Sequence, residues 1–329
     1  MLILNAADVR RALPIDAAID AMRRAFAALS DGRAEVPLRA HLPVPAHGGV
    51  CLVMPALVDA PPEQALAVKV GSLFEHNAQR GLARIQAAVL VVDPRTGCPA
   101  ALLEGATLTA IRTGAASGAA TDLLARPDSR TAAIFGAGVQ ARTQLEAVCT
   151  VRTIRTVWVY DPATGAARAF AEQVAGQEPI PGDVRVAASP QEAVAFADVI
   201  STATTSAVPV FDDADLKPGV HVSAIGSYQP DVQEIPPETI ARALVVVDSR
   251  QAALSETGDL IQPIRQGLIT PDHVHAELGE LVLGRKPGRA RPDQVTLFKA
   301  VGVAVQDALA ASAALRRAEQ LGLGQQVAW

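Results

Sequence analysis

Three cysteines are all that the 329 residues contain. Cys51, Cys98 and Cys149 are odd in number, far apart and without metal-ligand spacing. That excludes a disulfide framework and fits thiols packed as small hydrophobes in a reducing cytoplasm. Lys and Arg never form a run of five, and the net charge is -5 with a pI near 5.7. Neither nucleic acid nor an anionic membrane has an electrostatic footprint to bind. No stretch approaches ~20 uninterrupted apolar residues, so no membrane span is expected. The start, MLILNAADVRRALP, has too short an apolar part for a signal peptide and lacks a basic leader. His41, His47, His76, His221, His273 and His275 form no metal or triad constellation, and no metal is expected. What the chain has is a composition that is 50% hydrophobic, enough for a sizeable core, and length for two domains.

The stretch TAAIFGAGVQARTQLEAV, 131–148, carries the first functional signal. Thr131–Phe135 reads as a buried parallel strand and 139–148 as a helix, with Val139, Leu145 and Val148 available for packing. Between them, Gly136-Ala137-Gly138-Val139-Gln140-Ala141 is a G-x-G-x-x-A form of the dinucleotide fingerprint. Gly136 permits the tight turn and Gly138 lets backbone approach a pyrophosphate. The small third residue brings helix to strand, with the helix N-terminus toward the phosphates. The run TVWVYD, 156–161, ends in Asp161, about 20 positions beyond Ala141, where a carboxylate takes the ribose hydroxyls. An acid there repels the extra phosphate of NADP, and no Arg follows until Arg168. NAD(H) is therefore favoured, with NADP(H) the alternative. Read without a ligand, the same stretch is an ordinary strand–turn–helix.

The pattern continues with helices near 163–174 and 190–196 and strands near 184–187, 199–203, 219–226 and 243–248. Alternation of this kind implies a doubly wound parallel sheet that binds ligands at the carboxyl ends of its strands.

Charges isolated in neutral sequence mark a second set of candidates. Arg112 is the only charge between Gly105 and Thr121, in a helix of small residues. A buried guanidinium needs an anion, either a substrate carboxylate gripped bidentately or an acid elsewhere in the chain. Lys69 is the only charge between Glu63 and Glu75, on a strand whose alternation puts Ala65, Ala67 and Lys69 on one face. It either snorkels from an edge or is held in a site, where desolvation would let it exchange protons near neutrality. Asp231 is the only formal charge between Lys217 and Glu234 and follows a predicted strand. It is placed near the nicotinamide half of a dinucleotide, or is a loop or cap aspartate. Arg39, in VPLRAHLP, is a loop arginine that a second carboxylate contact would use.

With these residues in view, the chain resembles the ornithine cyclodeaminase/mu-crystallin family over nearly its whole length. The resemblance rests on VPLRAHLP, AVKVGSLF, LVVDPRTGCPAALLEGATLTAIRTGAASGAAT, IFGAGVQARTQ, GSYQPDVQEI, DSRQAALSETGDL and LFKAVGVAVQDALAA. It implies an α/β chain in which a Rossmann doubly wound parallel sheet, 119–301, is inserted into a second α+β domain for substrate and dimerisation. That second domain is made of 1–118 and 302–329, with the active site in the cleft. By resemblance Lys69 and Arg112, joined by Arg39, contact a substrate carboxylate, and Asp231 is the catalytic aspartate, with Lys69 the alternate proton carrier. Val139, Gln140, Asp161 and Thr202 are implied as cofactor contacts beside Gly136 and Gly138, and Thr113 and Ile225 are placed with them. A homodimer is expected.

Departures from the pattern direct the choice of reaction. Members that cyclise ornithine typically follow the glycine with Asp-x-Pro-Gly-Lys, whereas here Gly226-Ser227-Tyr228-Gln229-Pro230-Asp231 lacks that Pro-Gly-Lys. The Pro-Asp arrangement is more similar to members that reduce cyclic ketimines, and to mu-crystallin. Ala300 stands where many members carry serine, at an expected cofactor contact. The expectation is an NAD(P)H-dependent ketimine reductase acting on pyrroline-2-carboxylate and piperideine-2-carboxylate. Its rivals are ornithine cyclodeaminase, an amino-acid dehydrogenase and a non-catalytic ligand-binding protein.

Overall fold

A computed structural model describes residues 1–328, the side chain of Ala78 excepted. By its internal contacts the chain forms two compact units. One joins Met1–Arg112 to the segment from Val303 onward, and the other is Thr113–Gly302. The first join falls inside one continuous helix, Gly105–Leu124.

The first unit is built on a mixed sheet. Its order runs from Gln325–Gln326 through Leu2–Leu4, Pro99–Glu104, Ile85–Val92, Glu63–Phe74 and Gly49–Ala60 to Ala34–Glu35, with Ala40–Val44 also on Gly49–Ala60. Leu2–Leu4 is parallel to Pro99–Glu104, and the other pairings are antiparallel. Alternation sends Met54, Ala56, Val58, Ala65, Ala67, Val89 and Val91 to one face, where all are buried. The helix Ala304–Leu321 packs on the strands Glu63–Phe74 and Gly49–Ala60 and on the helix Ile15–Ser30. Ala308, Ala311, Ala314 and Ala318 recur at helical spacing and are buried, so small side chains let this helix lie close to the sheet. Ile15–Ser30 answers with Ala18, Ile19, Met22, Ala25 and Phe26 on its covered face.

The second unit holds an eight-stranded sheet with every pairing parallel. Its order is Asp183–Val186, Thr156–Tyr160, Thr131–Phe135, Val199–Thr202, His221–Ala224, Thr296–Lys299, Leu244–Val247, Val274–Glu277. The strand order reverses between Thr131–Phe135 and Val199–Thr202, which makes their carboxyl ends the place for a ligand. Apolar clusters cover the sheet, one around Ile200, Val222, Val245 and Leu297 and another around Ile134, Leu145, Val157 and Phe170.

The helix after the glycine turn is Val139–Val151, and its buried residues include Ala141, Leu145 and Val148. Val139 does not pack as the sequence reading expected. It is 73% exposed because it is the first residue of the helix and stands at the mouth of the turn rather than over the sheet.

Candidate functional site

In the first unit a buried cluster forms around one carboxylate. Lys69 lies on an interior strand, paired with Met54 on one side and Val89 on the other, so it does not snorkel from an edge. It is 5% exposed, and its Nζ is 2.7 Å from Asp307 Oδ2. Arg112, also 5% exposed, donates from Nε to Asp307 Oδ1 at 3.0 Å and from Nη1 to Gln306 Oε1 at 3.2 Å. Asp307 is 1% exposed. Gln306 Oε1 also accepts the Val303 N–H at the start of the helix.

Two buried cations thus share a single buried carboxylate. Burial raises the Asp307 carboxyl, but the charges of Arg112 and Lys69 and their hydrogen bonds outweigh it and hold it below the ordinary value. For Lys69 burial dominates and pushes the ammonium down to about 8, with Arg112 and Arg39 adding to the fall and Asp307 opposing it. Arg39 is therefore within electrostatic reach of Lys69. A carboxylate ligand would supply the counter-charge that one aspartate cannot.

Asp307 and Gln306 were not singled out in the sequence, although the signal was there. Asp307 is the only charge between Lys299 and Arg316, the same isolation that marks Lys69 and Arg112.

In the second unit the glycine turn meets the next strand closely. Gly136 has φ +97°, and a Cβ there would lie 2.6 Å from the Ala203 carbonyl oxygen. Gly138 precedes the helix with no side-chain cap, and a Cβ on it would meet nothing within 4 Å. Open space above uncapped N–H groups at a helix start suits a pyrophosphate. Asp161 directly follows Thr156–Tyr160, its Oδ2 accepting the Ala137 N–H at 3.1 Å and its Oδ1 the Ala163 N–H at 2.8 Å. The acid on the second strand and the glycine turn on the first are locked together. Gln140 Oε1 is buried without a hydrogen-bond partner among the described residues. Thr113 is buried, and the adjacent Gly114 allows the helix to pass the Thr143 carbonyl, which a Cβ would approach to 2.3 Å. These residues fit a dinucleotide.

Thr202, Ile225 and Asp231 complete the set named from the sequence. Thr202 has no exposed surface, and its hydroxyl donates to Glu234 Oε2 at 3.1 Å, so it lies behind the site surface rather than on it. The Ile225 N–H donates to the Thr202 carbonyl. Asp231 is on the loop after His221–Ala224 with its side chain 94% exposed, 3.8 Å from Arg265 Nη1.

Comparison with known proteins places these features in a setting. Residues 1–320 match the model of the ornithine cyclodeaminase/mu-crystallin family. The chain is 40% identical over 328 residues to a Delta(1)-pyrroline-2-carboxylate reductase of Bacillus cereus, covering 99% of each chain. It is similar to the Delta(1)-pyrroline-2-carboxylate reductase of Thermococcus litoralis solved with NADH and L-proline, at TM-score 0.95 and 42% identity, covering 99% of this chain and 100% of that one. An archaeal alanine dehydrogenase dimer with bound NAD superposes at TM-score 0.92 with 30% identity, covering 100% and 99%.

Proposed function

The chain belongs to the ornithine cyclodeaminase/mu-crystallin family, and from that premise we propose that it reduces cyclic ketimines, pyrroline-2-carboxylate and piperideine-2-carboxylate, to L-proline and L-pipecolate. The observation that carries the reading is the buried cluster in which Lys69 and Arg112 share the one carboxylate of Asp307. It is matched to a substrate that brings its own carboxylate. The similar proteins of Bacillus cereus and Thermococcus litoralis are named as reductases of pyrroline-2-carboxylate.

Gly136, Gly138, Val139, Gln140, Asp161, Thr113 and Ile225 would hold the dinucleotide, with Asp161 favouring NAD(H) over NADP(H). When bound, the dihydronicotinamide supplies the hydride. Arg112, Lys69 and Arg39 anchor the substrate carboxylate, and fixing the ring there supplies orientation that solution lacks. A protonated imine accepts hydride far more readily than a neutral one. Lys69, with its pKa near 8, can hold or release that proton near neutrality, and Asp231 can stabilise the cation or move the proton through water.

The deciding experiment follows NADH absorbance with pyrroline-2-carboxylate, beside ornithine plus NAD+ assayed for ammonia. NADH loss with stoichiometric proline is expected. Ammonia from ornithine with no imine reduction would make the chain a cyclodeaminase instead. Run with Asp231→Ala, the same assay assigns the proton: lost turnover gives it to Asp231, retained turnover to Lys69.

The chain is proposed to act as a homodimer, a reading supported by the archaeal alanine dehydrogenase, which is described as a dimer. Among the described residues no helix is long and apolar enough to cross a membrane, and Cys51, Cys98 and Cys149 form no disulfide. A cytoplasmic site of action is the proposal these support, and cell fractionation tests it.

A further inference from the structure

Two loops leave the carboxyl ends of adjacent strands in the parallel sheet, one after Val199–Thr202 and one after His221–Ala224. A single carboxylate grips both. Glu234 has no exposed surface. Its Oε1 accepts the Thr204 N–H at 2.8 Å and the Thr204 hydroxyl at 2.6 Å. Its Oε2 accepts the Gly226 N–H at 2.6 Å, the Ser227 N–H at 3.1 Å and the Thr202 hydroxyl at 3.1 Å. Five donors converge on the two oxygens, three of them backbone N–H groups that cannot turn away. A Cβ on Gly226 would lie 2.4 Å from Glu234 Oε1 and 2.3 Å from the Thr204 carbonyl, so the grip needs glycine at that point.

Glu234 is itself held from behind. Its N–H and that of Ile235 donate to Asp259 Oδ1 at 2.7 and 3.1 Å, and Asp259 Oδ2 is 2.8 Å from Lys299 Nζ. Neither member of that ion pair has exposed surface. Burial pushes the Glu234 carboxyl upward, Lys299 opposes the rise and Asp259 adds to it. The arrangement runs from a buried lysine through two acids to the rim of the sheet, and the proposed function makes no use of it.

We propose that Glu234 is a positioning residue for the dinucleotide, fixing the Thr202–Thr204 and Gly226–Ser227 segments as one rigid floor at the mouth of the sheet. The proposal rests on the reading that this unit binds a nicotinamide dinucleotide. Glutamine at 234 keeps the shape but turns an amide donor toward groups that are themselves donors, leaving buried N–H groups unsatisfied. The floor then loosens, and cofactor binding must supply the ordering that the free protein no longer has.

The test is NADH titration of the full-length protein by fluorescence, without substrate, followed by steady-state kinetics. Glu234→Gln is expected to raise the NADH Kd by at least about tenfold, the scale of one lost hydrogen bond to a charged group. The imine KM at saturating NADH should change far less, a split that general loosening of the protein would not produce. Thr202→Val removes one donor at nearly constant shape and should shift the NADH Kd the same way by a smaller factor. Wild-type NADH affinity in Glu234→Gln overturns the proposal. If that variant does not fold, unchanged affinity in Thr202→Val overturns it. Failure of the wild-type protein to bind any NADH overturns the dinucleotide reading itself, and the proposal with it.

Discussion

At Lys69 the loss of water and the attraction of Asp307 act in opposite directions, and the loss of water wins. Burial, with Arg112 and Arg39, brings the ammonium down to about 8 against the attraction of Asp307. Below that pH the side chain is a cation that can anchor a carboxylate and give up a proton, and above it the side chain is a neutral amine. With pyrroline-2-carboxylate, kcat/KM is therefore expected to fall as pH rises through about 8, approaching tenfold per unit. Lys69→Arg keeps the charge at every accessible pH, so the alkaline fall should disappear from its profile while turnover drops for want of a proton. If the profile of Lys69→Arg still bends near pH 8, the proton role does not belong to Lys69. Single residues of this kind were legible in the sequence because a charge without neighbours has few reasons to be there. Asp307 satisfies the same rule and was passed over inside an alanine-rich helix. Glu234 was hidden differently, since Asp231 stands three residues before it and breaks its isolation.

Among the elements, the strand His221–Ala224 carries a histidine that never meets water. His221 Nδ1 lies 3.0 Å from the Thr296 hydroxyl and Nε2 3.3 Å from the Ser223 hydroxyl. Burial, reinforced by the charges of Arg289 and Arg152, pushes it down to about 3 from an ordinary 6.5. The unfolded chain takes up this proton first on acidification, so it binds more protons than the folded chain between those two values. Stability contributed by the neutral ring is complete above about 6.5 and is lost as pH falls toward 3, at most roughly 1.4 kcal/mol per pH unit. His221→Asn should start from a lower Tm at pH 7 and lose less of it on going to pH 5. Parallel Tm curves for the two proteins would show that other groups set the acid limb. The strands from Thr131 to Val247 could be read from apolar runs between turn signals. Val274–Glu277 and Thr296–Lys299 were missed, since VHAE holds no two adjacent apolar residues and TLFK is closed by a threonine and a lysine. Their absence from the reading left the sheet two strands short.

For the whole molecule, the outer face of the first sheet is the feature to explain. Opposite the face that the helix Ala304–Leu321 covers, Val53, Leu57, Leu66, Val68, Val70 and Leu90 form a cross-strand apolar surface. An antiparallel sheet facing water on one side normally alternates to polar residues there, and this one does not. Sedimentation is expected to give a homodimer, and Val68→Glu to shift it toward monomer. A wild-type monomer at micromolar concentration would leave this face without an occupant.

The first unit is assembled from two pieces of chain with the whole second unit between them. During synthesis the parallel sheet, contiguous in sequence, can close while the first unit still lacks its central helix. Until Ala304–Leu321 leaves the ribosome, Lys69 and Arg112 have no Asp307 to share, and two cations without a counter-ion resist burial. Completion of the chain and assembly of the Lys69–Arg112–Asp307 cluster are therefore one event. An unfinished copy holds the whole of its parallel sheet and two cations still waiting for their carboxylate.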